Sequence, residues 1–145
     1  MNKFLLISAN QSTDPDPVYP LGCLYVANTV KKAGWDICTF DLCFKNDYKE
    51  QLIKHISLIK PDVIGVSLRN IDSVTFPENY SFINDYKTLF SVIKSNSSSI
   101  IIAGGAGFTI FPNEIMQKLP IDFGFIGECE KTLSEFLINY PKLPE

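Results

Sequence analysis

Pro61-Asp62-Val63-Ile64-Gly65-Val66-Ser67 and Ser99-Ile100-Ile101-Ile102-Ala103 decide the fold. Each carries a near-continuous apolar run, dominated by β-branched side chains and ending in small or polar residues. A strand with one wet face alternates apolar and polar residues. A short run without alternation is buried on both faces, the condition of a parallel sheet covered by helices. Working outward, residues 4–8, 36–40 and 122–126 read as three more strands of this kind, beside the central ones at 62–67 and 99–103.

Helical patterns alternate with the strands. Leu21, Leu24 and Tyr25 open a helix that ends at Gly34, a glycine suited to a helix C-cap. Leu52, Ile56 and Ile59 share one face of a second helix, stopped by Pro61. Tyr86, Leu89, Phe90 and Ile93 recur at i, i+3, i+4 and i+7 in a third, and residues 113–119 form a short one. Leu133, Phe136, Leu137 and Tyr140 line the last. Strand–helix alternation along the whole chain predicts an α/β fold: a doubly wound, five-stranded parallel sheet in the flavodoxin-like order 2-1-3-4-5, with helices on both faces. Ligands of such sheets sit beyond the carboxyl ends of the strands, where strand order reverses.

The chain of 145 residues is sized for one domain with its own core. We assign residues 1–140 to that domain and 141–145, where prolines halt the last helix, to the start of a linker towards a catalytic domain. The net charge of −3 and the scattered lysines give no basic footprint for nucleic acid. No apolar stretch reaches the length that spans a bilayer, and the run at 4–7 reads as strand, not leader, so a cytoplasmic location is expected. Cys23, Cys38, Cys43 and Cys129 fit no zinc or redox spacing and read as four reduced thiols, with Cys38 facing the core.

Three connections at the ligand end are informative. Residues 9–20 make a long first loop with Asn10, Asp14, Asp16 and three prolines. The third, residues 68–80, begins Leu68-Arg69-Asn70-Ile71-Asp72. The fourth is Gly104-Gly105-Ala106-Gly107-Phe108-Thr109. Turn geometry explains any one glycine there, but three in four residues favour close backbone approach to a flat or phosphate-bearing ligand. A dinucleotide fingerprint fails, because Ile110 stands where its third glycine belongs. Gly127-Glu128-Cys129-Glu130 follows the fifth strand, and its acids suit a helix N-terminus or a ligand equally. His55, the one histidine, lies beside an apolar helix stripe and reads as a solvated helix residue, so Ser–His or Cys–His catalysis lacks support.

Together these pieces resemble the N-terminal cobalamin-binding domain of cobalamin-dependent radical S-adenosylmethionine (SAM) enzymes. Pro20-Leu21-Gly22-Cys23-Leu24-Tyr25-Val26-Ala27 is similar to that family's P-x-G-x-x-Y-[LV]-A helix start. Residues 61–67 and 68–72 are similar to its third strand and loop, 102–112 to its glycine loop, and 127–130 to its G-E-G-E with Cys129 for the second glycine. The D-x-H-x-x-G of mutase-type cobalamin domains is missing from the first loop, so the resemblance implies no protein metal ligand, the lower face of cobalt being water-ligated, open or held by the cofactor's own base. It implies cobalamin held by Asn10, Leu21, Gly22, Ser67, Leu68, Arg69, Asn70, Asp72, Gly104, Gly105, Ala106, Gly107, Phe108, Gly127 and Glu128. In that reading Ser67 hydrogen-bonds the nucleotide tail and Arg69 and Asn70 face the corrin or its phosphate. The family's C-x-x-x-C-x-x-C is absent from these residues, so SAM, a [4Fe-4S] cluster and the radical methyl-transfer chemistry belong to the expected catalytic domain, which is also the expected partner.

Three rivals share the fold. A flavin or nucleotide carrier needs a glycine- and hydroxyl-rich first loop, of which Gln11-Ser12-Thr13 is a weak version. A phospho-receiver needs acids where Ser8-Ala9-Asn10 and Ser67 stand. A ligand-free interaction domain would use apolar loop residues such as Phe76 and Phe108 to Phe111.

Overall fold

The structure is a computed structural model and describes residues 1–13, 15–73 and 77–140. Eleven elements follow one another: β1 (Lys3–Ser8), α1 (Leu21–Lys32), β2 (Asp36–Asp41), α2 (Tyr48–Ile59), β3 (Val63–Ser67), α3 (Ile83–Asn96), β4 (Ile100–Gly104), α4 (Ala106–Ile110), α5 (Pro112–Lys118), β5 (Phe123–Gly124) and α6 (Glu130–Asn139). The strands form one parallel sheet in the order β2-β1-β3-β4-β5. The expected topology is therefore the observed one.

Period-two alternation sends each central strand into two cores. Leu5 and Ile7, Ile64 and Val66, and Ile101 and Ala103 meet Leu52 and Ile56 of α2 and Leu89, Phe90 and Ile93 of α3. Phe4 and Leu6, Val63 and Ile102 meet Cys23 and Val30 of α1 and Leu133 and Leu137 of α6. Ser8 pairs in register with Ser67, and Ser67 with Gly104, so β1, β3 and β4 end level. Bonds beyond the ladder hold that rim: Ala9 N to Ser67 O at 3.1 Å and Leu68 N to Gly104 O at 2.8 Å.

Three expectations are corrected. The fifth strand is two residues long instead of spanning 122–126. The Asp122 carboxylate takes the Ile101 N–H at 2.7 Å, and only Asp122 N to Ile101 O and Phe125 N to Ala103 O extend the pairing of this edge. The fourth loop is not a loop: Gly105 is followed by the single-turn helix α4. Leu21, Leu24 and Tyr25 open α1 as expected; they are exposed, because the helix turns its smaller residues Cys23, Val26, Ala27 and Val30 to the sheet. Phe108 is 1% exposed and belongs to the core, which leaves Ile110 and Phe111 as the exposed apolar pair there. Phe76 and Asp14, and the linker expected at 141–145, lie outside the described residues. Cys38 is partly buried against the α2–α3 core, as expected. Among the described residues no helix is long and apolar enough to cross a membrane.

Candidate functional site

Between the sheet and the α1–α6 layer lies a cavity of about 210 Å³ that opens at the carboxyl ends of the strands. Its walls are apolar: Phe4, Leu6 and Ile102 from the sheet, Val26 from α1 and Leu133 from α6. Five of the eight glycines line it, Gly22, Gly65, Gly104, Gly105 and Gly127. Gly65 makes the floor possible, since a Cβ there would lie 2.7 Å from the Phe4 ring. At Gly22, by contrast, an added Cβ meets nothing within 4 Å, so this glycine borders open space in the cavity wall.

Ser67 supplies a hydroxyl at the cavity's upper end, where β3 stops. Beneath it sits the buried thiol of Cys23. Burial pushes that thiol up, against hydrogen bonds with Ser67 and Ser8 that lower it. Cys129, half-buried at the start of α6, is also raised by burial, and the charge of Glu130 adds to the effect. Both are thus neutral, weakly polar groups at pH 7 and not the thiolates that would bind or attack a metal centre.

The expected site residues divide into groups. Gly22, Ser67, Gly104, Gly105, Gly127 and Glu128 line the cavity. Arg69 and Asn70 line a separate hollow with Ser12, Pro15, Asp16 and Val18, where the first and third loops meet. Asn10 is 9% exposed and its amide reaches the Ser12 carbonyl at 3.4 Å, so it shapes the first loop. Leu21 is exposed beside Gly22 without lining the cavity, and Ala106 is exposed at the start of α4. Asp72 bridges to Ser81 and borders another hollow with Glu114 and Lys118.

Leu68, Gly107 and Phe108 have structural duties. The Leu68 side chain is wholly buried in the α2–α3 core, while its carbonyl accepts the Gly107 N–H at 2.9 Å. A Cβ on Gly107 would lie 3.0 Å from that carbonyl and one on Gly105 2.7 Å from it, and Gly105 also has φ +99°. These two glycines serve the approach of α4 to the third loop, which is the turn-geometry account; Gly105 does so while lining the cavity. The Phe108 ring packs where a Gly124 side chain would stand. Sequence reasoning missed Phe4, Leu6, Gly65, Val26, Phe125 and Cys129 as cavity residues. Gly65 carried a usable signal, because an isolated glycine inside a buried strand marks a close approach.

His55 is exposed on α2, its ring 5.0 Å from Phe40 of the opposite core. The sheet therefore stands between the one histidine and the cavity.

A doubly wound domain with a glycine-floored apolar cavity at its strand ends and a hydroxyl at the cavity's neck has the form of a ligand-carrying module. Comparison with known proteins narrows the class. Residues 9–137 match the B12 binding domain family, and the chain belongs to it. A tryptophan 2-C-methyltransferase from Streptomyces laurentii is 28% identical over 131 residues, 90% of this chain and 22% of that protein. The radical SAM methyltransferase TsrM from Kitasatospora setae, solved with cobalamin and a [4Fe-4S] cluster, is 26% identical with a TM-score of 0.89 over 96% of this chain and 24% of its own. The same enzyme solved with tryptophan and a SAM analogue gives 24% identity and a TM-score of 0.90 over 98% of this chain and 26% of its own. The chain thus spans about a quarter or less of these relatives. The domain's cofactor is cobalamin, and these relatives are methyltransferases, of which TsrM is a radical SAM enzyme.

The residues present fit that cofactor. The cavity offers apolar walls and one hydroxyl to a heteroaromatic base, and open space beside Gly22 where a side chain would block it.

Proposed function

We propose that this chain is the corrinoid-holding domain of a cobalamin-dependent radical SAM enzyme of the methyltransferase type. The glycine-floored cavity between α1 and α6 is the observation that carries this reading. In it the nucleotide tail of cobalamin enters the cavity, Ser67 hydrogen-bonds the base, and Gly22, Gly104, Gly105, Gly127 and Glu128 form the neck. Asn10, Arg69 and Asn70 shape the rim on which the corrin lies, with Arg69 answering its phosphate or amide groups. When bound, cobalamin supplies a cobalt that carries a methyl group.

This domain binds and orients the corrin and excludes water from the tail; no described side chain is placed to do radical chemistry. SAM and the iron–sulfur cluster belong, in this reading, to a separate catalytic domain of the whole protein, which is the domain's partner. No histidine from this chain ligates the cobalt, because His55 lies beyond the sheet. The four unpaired cysteines suit a cytoplasmic setting.

Titration of the purified chain with hydroxocobalamin tests the proposal. A saturable one-to-one change in the visible spectrum is expected, with no competition from flavin mononucleotide. Flavin binding without cobalamin binding would overturn the reading.

A further inference from the structure

Tyr86 projects from α3 into the core on the sheet face opposite the cavity and is 4% exposed. A buried phenol must place its O–H on an acceptor. Its acceptor is the Asn70 carbonyl, 16 residues earlier and at the ligand end of the sheet. The third loop is thereby held at three of its first four residues. Leu68 is tied to β4 through its N–H and to α4 through its carbonyl, at 2.8 and 2.9 Å. Tyr86 holds Asn70, and the Phe82 N–H holds the Ile71 carbonyl at 2.8 Å.

Between these clamps stands Arg69, the only arginine of the chain. It is exposed and has no ion-pair partner among the described residues. Holding the backbone beside an unpaired surface cation adds little to a core. It does pre-organise that cation for a ligand, since ordering done in the free protein need not be done on binding.

We propose that the Tyr86 hydroxyl is a positioning group for the cofactor: by fixing the Asn70 peptide it sets the direction in which Arg69 meets bound cobalamin. The inference rests on the cobalamin-binding reading above. It assigns to the far side of the sheet a residue that touches no ligand.

The test uses the whole chain, hydroxocobalamin and four variants: Tyr86→Phe, Arg69→Ala, their combination, and Tyr80→Phe as a control whose hydroxyl meets the half-buried Asp85 at the surface. Loss of one hydrogen bond's worth of ordering predicts about a five- to tenfold weaker affinity for Tyr86→Phe and none for Tyr80→Phe. Because Tyr86 acts through the loop that carries Arg69, the double variant should bind no worse than Arg69→Ala alone. Amide hydrogen exchange of the ligand-free Tyr86→Phe chain should quicken about tenfold at Phe82, whose N–H donates to the Ile71 carbonyl, and stay unchanged in β3 and β4.

Losses that multiply in the double variant, unchanged exchange at Phe82, or lost protection in β3 and β4 would each overturn the positioning role. Wild-type uptake with an undiminished Tyr86→Phe overturns this inference alone. A wild-type chain that takes up no cobalamin overturns the binding reading and the inference with it.

Discussion

Replacing Gly22 with leucine separates the cavity's function from the fold's stability. Gly22 is the second residue of α1, its backbone is helical, and a Cβ built on it finds nothing within 4 Å. A leucine there strains nothing, and the exchange of glycine for a good helix former stabilises a helix by up to about 1 kcal/mol. For a chain of this size that is a melting temperature unchanged or raised by about 3 °C. The same side chain projects into the cavity of about 210 Å³. If an aromatic base must enter, the variant forfeits its burial. About 150 Å² of aromatic surface at about 25 cal/mol/Å² is about 4 kcal/mol, or more than a hundredfold in affinity. Gly22→Ala, with one carbon, should lose tenfold or less. Calorimetric titration with hydroxocobalamin, beside a thermal melt of each variant, makes the comparison. Full affinity in a folded Gly22→Leu chain would refute the placement of the tail.

Gly105→Val should behave oppositely: φ +99° and a Cβ 2.7 Å from the Leu68 carbonyl predict at least about 2 kcal/mol of destabilisation, read as a melting temperature lower by roughly 5 °C or more. His55→Ala should leave the cobalamin affinity and the electron paramagnetic resonance spectrum of the cob(II)alamin complex unchanged, since the ring lies on the other face of the sheet. Ser67→Ala should weaken cobalamin binding about five- to tenfold, as expected for one lost hydrogen bond, and lower the melting temperature by a few degrees at most through the lost contact with the Cys23 thiol. Burial pushes the Tyr86 phenol up to about 12 from its ordinary 10, so the folded chain holds that proton more tightly than the unfolded one. Its contribution to stability is complete below pH 10 and is lost as pH rises from 10 to 12; Tyr86→Phe should flatten that fall by up to about 1.4 kcal/mol per pH unit in denaturant titrations.

The parts of the fold that could be read from sequence are those where burial is two-sided. Val63-Ile64-Gly65-Val66 and Ile100-Ile101-Ile102 name the central strands because short, β-branched runs without alternation fit a strand buried on both faces. The edge was harder: residues 122–126 carry the same apolar signal, yet the side chain of Asp122 replaces part of the ladder. On α1 both stripes are apolar, so periodicity could not say that Cys23 and Val30 face in while Leu24 and Tyr25 face out.

The site was legible at the strand ends, where Gly22, Ser67, Gly104, Gly105, Gly127 and Glu128 converge on one cavity. It was illegible in depth, because Phe4, Leu6 and Val26 look like ordinary core until Gly65 leaves space in front of them. Phe108 and Leu68 were drawn into the expected site by standing next to it in sequence; their side chains lie in the opposite core.

A crystal structure of the chain with cobalamin tests the central claim most directly. The account predicts the nucleotide base detached from cobalt and seated between α1 and α6, within hydrogen-bonding distance of Ser67 and against Gly22 and Gly65. A cobalamin bound elsewhere, or one whose base remains on the cobalt above a cavity that the tail has not entered, would contradict it.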